Sequence, residues 1–159
     1  MKKNILFLFL LLNLKFVQCQ SLNAQPQNQT KENLKPIQIC ETELIWSDTK
    51  LPLLPGAKVA VVEGNPKSNG HFTLRLKFPP YYKIPPHTHP VDERTIVLKG
   101  AINIGFGDVM DTTNAKRLTP GCFYLNPAGI HHYFFTSAEE TEIQISTNGP
   151  WGLDLIDMK

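Results

Sequence analysis

Pro86-His87-Thr88-His89-Pro90-Val91-Asp92-Glu93 is the stretch that decides how this chain is read. In an extended backbone, residues i and i+2 project to the same face. His87 and His89 therefore aim two imidazoles at one point, and Glu93 and Gly100 follow downstream. Imidazole combined with carboxylate suits zinc, iron, copper, nickel or manganese. A second stretch runs from Gly121 through Pro127 and Gly129 to His131 and His132, so four of the five histidines fall in two short segments. Taken singly, His-x-His is often a surface or core pair, and Pro-x-Gly is a turn. Found in order, with the carboxylate and the glycines in register, they point to a metal cage.

Together the two stretches resemble the paired motifs of the cupin superfamily, small β-barrels that usually bind a divalent metal. In the first motif His87, His89, Glu93 and Gly100 keep the family spacing, but Tyr81 stands where an opening glycine is expected. In the second, Gly121, Pro127, Gly129 and His132 fit, while Thr136 replaces a terminal asparagine. The resemblance implies an all-β, single-domain jelly-roll barrel. It also implies a four-ligand site of His87, His89, Glu93 and His132, holding a divalent transition metal (iron, manganese, nickel, zinc or copper). Dimers are common in the superfamily, so a homodimer is a further expectation. The motifs select no reaction.

The rest of the chain sets outer limits. Its 159 residues suit one domain. Residues 1–19 read as an export signal: Lys2 and Lys3 precede a short apolar core, Ile5 to Leu14, broken by Asn13. That core is too short for an ordinary membrane span, although an uncleaved anchor and a lipid-bearing Cys19 are alternatives. The expected location is periplasmic or secreted, with no stable membrane span after cleavage. Residues 20–36 are a polar, Gln- and Asn-rich tether, and residues 37–159 the barrel. Without residues 1–19 the chain carries 13 basic and 14 acidic residues, a net charge of −1. Such a balance gives no footprint for nucleic acid. Cys40 and Cys122 then remain, as a disulfide or, more in keeping with a strand position for Cys122, as free thiols.

Short apolar runs punctuated by Pro and Gly predict strands over 37–46, 57–63, 71–79, 82–89, 92–99, 101–106, 121–126, 131–136, 141–147 and 151–156. Lys99-Gly100 reads as a hairpin turn, and the stretch from Gly107 to Pro120 as a polar loop. Alternation then assigns faces. With Glu93 inward, Thr95 and Val97 also point in. With His132 inward, so do Phe134 and Thr136, whereas His131, Tyr133 and Phe135 point out. The outward set Ile96, Leu98, Tyr133 and Phe135 is too apolar for plain solvent, and calls for cover by the segment from Ile39 to Trp46 or by a second subunit.

Three imidazoles and a carboxylate leave open positions on a six-coordinate ion, where a substrate oxygen, water or dioxygen can bind. Each imidazole needs an acceptor for its other N–H; Asn126, Tyr124 and Gln144 are placed to serve. His131 is a candidate acid or base at the mouth, although its parity puts it outside. Arg75 and Arg94 are candidate anion contacts, Trp151 a plug at one barrel end, and Phe106, Tyr124 and Phe134 residues that narrow the pocket. The leading expectation is a small metalloenzyme (dioxygenase, isomerase or lyase) acting on a small oxygenated molecule. A metal-dependent ligand-binding or sensing module and a barrel with a structural metal are the alternatives.

Overall fold

The cleanest alternation, Phe72-Thr73-Leu74-Arg75-Leu76-Lys77-Phe78, forms one of the two longest strands of the computed structural model, which describes residues 35–50 and 55–156. Phe72, Leu74, Leu76 and Phe78 are all buried there, and Arg75 and Lys77 face the other way. The strands are β1 (Ser47–Asp48), β2 (Lys58–Glu63), β3 (Gly70–Phe78), β4 (Lys83–Thr88), β5 (Glu93–Lys99) and β6 (Ile102–Phe106). They continue as β7 (Lys116–Leu118), β8 (Phe123–Asn126), β9 (His132–Thr136), β10 (Thr141–Gly149) and β11 (Asp154–Leu155). The predicted export signal and all but the last two residues of the tether lie outside the described residues.

Two antiparallel sheets result, ordered β1-β2-β3-β10-β5-β8 and β11-β4-β9-β6-β7. Their inner faces meet in a core of β3, β10, β6 and β9 side chains, where Phe78 and Phe134 pack edge to face with centroids 5.0 Å apart. Each such ring contributes about 1.5–3 kcal/mol by leaving water. This is the expected jelly roll. Among the described residues no helix is long and apolar enough to cross a membrane.

Several local expectations are corrected. Residues 37–46 are not a strand: Glu43 folds back to accept the Cys40 N–H at 2.6 Å, making a 3-10 turn over Glu41–Glu43. That local bond competes with strand pairing. Gly100 is not a hairpin turn, because β5 and β6 belong to different sheets. It is instead the corner where the chain crosses, with φ 70° and the Glu140 carbonyl so close that no Cβ fits. The loop from Gly107 to Pro120 contains β7, anchored by buried Leu118 opposite Ile102. Of the 151–156 run only β11 is a strand. Cys40 and Cys122 are both free thiols.

The outward apolar set splits between the sheets. Ile96 and Leu98 are exposed on β5, at the far side of the sheet from β1. The segment ending in Trp46 packs elsewhere, its ring 4.3 Å from the Lys77 ammonium. Tyr133 is buried, as its place in the apolar outward set requires, but under a different cover: its hydroxyl donates to the Asp111 carbonyl at 2.7 Å, so the loop after β6 covers it.

Candidate metal centre

The two motifs converge because β4 and β9 are neighbours, with His87 directly opposite His132. His89 follows β4, and Glu93 opens β5 on the facing sheet. His87, His89 and His132 are buried, and each offers a ring nitrogen within 4.8 Å of the others. Glu93, also buried, joins through His89, whose Nε2 lies 3.1 Å from its Oε2. The parity assignment therefore places His132 inside. His131 is turned away and paired with the exposed Asp108 carboxylate.

The hydrogen bonds set the protonation pattern. His87 Nδ1 meets the Pro85 carbonyl at 2.7 Å, and His89 Nδ1 meets the Gly152 carbonyl at 2.6 Å. A carbonyl only accepts, so both Nδ1 atoms carry the proton, and in a neutral ring Nε2 is then a lone pair facing the cluster. Burial lowers the His87 pKa to about 4, and the neighbouring His89 adds to that against the Pro85 bond. It lowers His132 to about 2, with His87 and His89 adding to the effect. Neutral imidazole is the ligand form.

Asn126 completes the test of fit. Its side chain lies 2.8 Å from His132 Nδ1 through Nδ2, while its buried Oδ1 has no partner. The two ends of an amide are alike in shape. Turning it by 180° lets Oδ1 accept the His132 Nδ1–H, in exchange for the 3.5 Å contact of Nδ2 with the Ile130 carbonyl, and frees Nε2 as a third inward lone pair. Around Glu93, Oε1 accepts from Thr95 at 3.2 Å and Tyr124 at 3.2 Å, and Oε2 accepts from Trp151 Nε1 at 3.1 Å. Burial first, and then the Glu93 charge, push the Tyr124 phenol well above its ordinary 10.0, so it stays a donor. Three lone pairs and an oriented carboxylate fit a divalent transition metal.

Residues 49–151 match the family described as "Domain of unknown function (DUF4437)". The chain belongs to that family. This DUF4437 chain is 35% identical over 75 residues to the putative germin-like protein 9-2 of Oryza sativa subsp. japonica, a match covering 46% of the chain and 35% of the relative. It thus spans about a third of that curated relative's length. In fold it is similar to the polyketide cyclase RemF of Streptomyces resistomycificus, with TM-score 0.66, 15% identity, and coverage of 79% of this chain and 88% of RemF. It is likewise similar to an RmlC-like cupin of Shewanella frigidimarina, with TM-score 0.53, 12% identity, and coverage of 79% and 95%. The DUF4437 chain shares the cupin-type barrel fold of these structures, the fold its two motifs imply.

Of the remaining sequence candidates, Asn126 reaches His132 and Tyr124 reaches Glu93. Gln144 instead faces outward and accepts from Arg75 at 3.1 Å. Arg75 is bound to Glu142, and Arg94 is paired with Asp92 on the outer surface, so neither faces the site. Phe134 lines the space beside the imidazoles, whereas Phe106 is largely exposed. What the sequence reading missed in this DUF4437 site is the chemistry of the segment after β10, where it gave Trp151 only as a plug at one barrel end. Trp151 bonds Glu93 and stacks on His89 with centroids 5.4 Å apart, and the next residue's carbonyl orients that ring. No spacing rule announces a backbone carbonyl, and a Gly-Pro-Trp-Gly run signals only a turn.

Proposed function

We propose that His87, His89, His132 and Glu93 hold one divalent transition metal, and that the chain is a small metalloenzyme acting on a small oxygenated molecule. The observation that carries this is the convergence of the buried His87, His89 and His132, whose ring nitrogens lie within 4.8 Å of one another. Glu93 adds a buried carboxylate beside them, its Oε2 3.1 Å from His89 Nε2. When bound, such a metal polarises a substrate oxygen or lowers the pKa of water. The chain's own part is orientation: Pro85, Gly152 and Asn126 set the rings, and Tyr124, Thr95 and Trp151 set the carboxylate. The fold neighbours include enzymes, among them the cyclase RemF.

A second reading, binding or sensing without turnover, is favoured by the small space at the imidazoles, about 10 Å³ and room for roughly one water. We assign residues 1–19 as a cleaved export signal and the product as periplasmic or secreted. A homodimer through the outer face of β5 and β8 belongs to the same reading.

Elemental analysis of purified protein is expected to give close to one first-row metal per chain. His89→Ala loses most of it while melting cooperatively, and a fully loaded variant would remove His89 from the ligand set. Oxygen uptake with small phenols, diketones and thiols separates the two readings: consumption with one compound favours the enzyme, and binding without consumption favours the sensor.

A further inference from the structure

The enclosed space beside His87 and His89 is about 10 Å³, and a much larger cavity of about 390 Å³ shares one indole with it. Trp151 lines both, and its ring stacks on His89. The cavity arises from the way β2 meets β3. Val59 pairs with Leu76 and Val61 with Leu74, so these valines share the inward face. Val61 is nevertheless 47% exposed. An inward valine left open belongs to the lining of this cavity, together with Val59 and Leu74. The volume falls within the range of small-molecule sites.

The lining has a definite chemistry. Val59, Val61, Leu74 and Trp151 supply apolar walls, while Lys50, Lys67 and Asp48 stand among the lining polar groups. Two ammonium groups against one carboxylate leave that lining with one net positive charge. Deepening the metal-site reading, and resting on it for what the occupant meets beyond the indole, we propose that this cavity is a ligand chamber for a small carboxylate with an apolar body. Trp151 is the partition between it and the metal centre. The apolar body lies against Val61 and the indole face, and the carboxylate meets the two lysines. Because Trp151 also donates to Glu93, an occupant that moves the indole changes the carboxylate's hydrogen bonding.

Trp46→Phe leaves Trp151 as the single tryptophan of a chain that has two. In that background, benzoate is expected to change tryptophan emission saturably, and benzyl alcohol, its uncharged counterpart, to need at least tenfold higher concentration. Val61→Phe, which fills the chamber, abolishes the benzoate response while metal content stays at the parent value. Lys50→Glu with Lys67→Glu, both on the surface, brings benzoate down to the level of benzyl alcohol. A benzoate response that is absent, non-saturable or unchanged in both variants overturns the chamber. Equal responses to benzoate and benzyl alcohol overturn the assigned ligand class. Metal content is read separately: a metal-free protein that still binds benzoate removes the metal-site reading, and a fully loaded one that ignores benzoate removes the chamber.

Discussion

Tyr81 occupies the place of the first motif's missing glycine, and its φ of 58° is the left-handed conformation that glycine normally supplies. A side chain there costs about 1–2 kcal/mol. Tyr81 is 72% exposed, so its ring returns little of that. Tyr81→Gly is therefore expected to stabilise the fold by about 0.5–1 kcal/mol after glycine's greater unfolded entropy is counted. Urea midpoints check this, and a lower midpoint would mean that the ring has a packing role. The two buried imidazoles give a second residue-level expectation. In the unfolded chain they titrate near 6.5, and in the fold at about 4 for His87 and about 2 for His132. Between those values the unfolded chain binds more protons. Metal-free protein thus keeps this stability above pH 6.5 and loses it as pH falls toward 4 and below. Thermal melts in chelator are expected to drop steadily from pH 7 to 5, less steeply in His132→Asn; a flat profile would contradict burial of neutral rings.

At the scale of elements, alternation was a reliable guide where one face is buried and the other wet. It placed Glu93, Thr95 and Val97 inside on β5, and His132, Phe134 and Thr136 inside on β9, all of them buried. It does not say what covers an outward residue. Tyr133 points away from the core yet is buried, because Gly105 on β6 leaves room for its ring and the following loop accepts its hydroxyl. A glycine inside a strand was the available signal for that close approach. Gly105→Ala would put a methyl group into the Tyr133 ring. It is expected to cost about 2–3 kcal/mol from overpacking and the lost hydroxyl bond. Calorimetry checks the loss, and a neutral result would show that the ring relocates freely. The Lys99-Gly100 corner was misread because glycine with positive φ marks a hairpin and a sheet-crossing corner equally well.

For the whole molecule, the sequence carried the barrel and the three converging imidazoles through the resemblance of its two motifs to the cupin pattern, with strand parity in agreement. It did not carry the chamber, the carbonyl that orients His89 or the indole over Glu93. These depend on which segments the fold brings together across long sequence distance. One surface also belongs to this scale: Ile96, Leu98, Phe123 and Leu125 are exposed together on β5 and β8, and β8 is a sheet edge. An apolar edge of this kind invites pairing, and we expect two copies to meet there about a two-fold axis. Light scattering is expected to give twice the chain mass, falling to the monomer in Leu125→Glu; a monomeric parent would leave the face without this partner.

The segment after β10 has a consequence for the order of assembly. Trp151 holds the glutamate, Gly152 turns one imidazole, and Leu155 pairs with the residue bearing another. During translation both motifs have left the ribosome before these clasps exist. A nascent chain therefore shows its nitrogen donors early, as loose and unselective hooks, and acquires a shaped receptacle only when the last strand folds across them. Capture of the proposed ion by the finished geometry thus follows the closure of this segment.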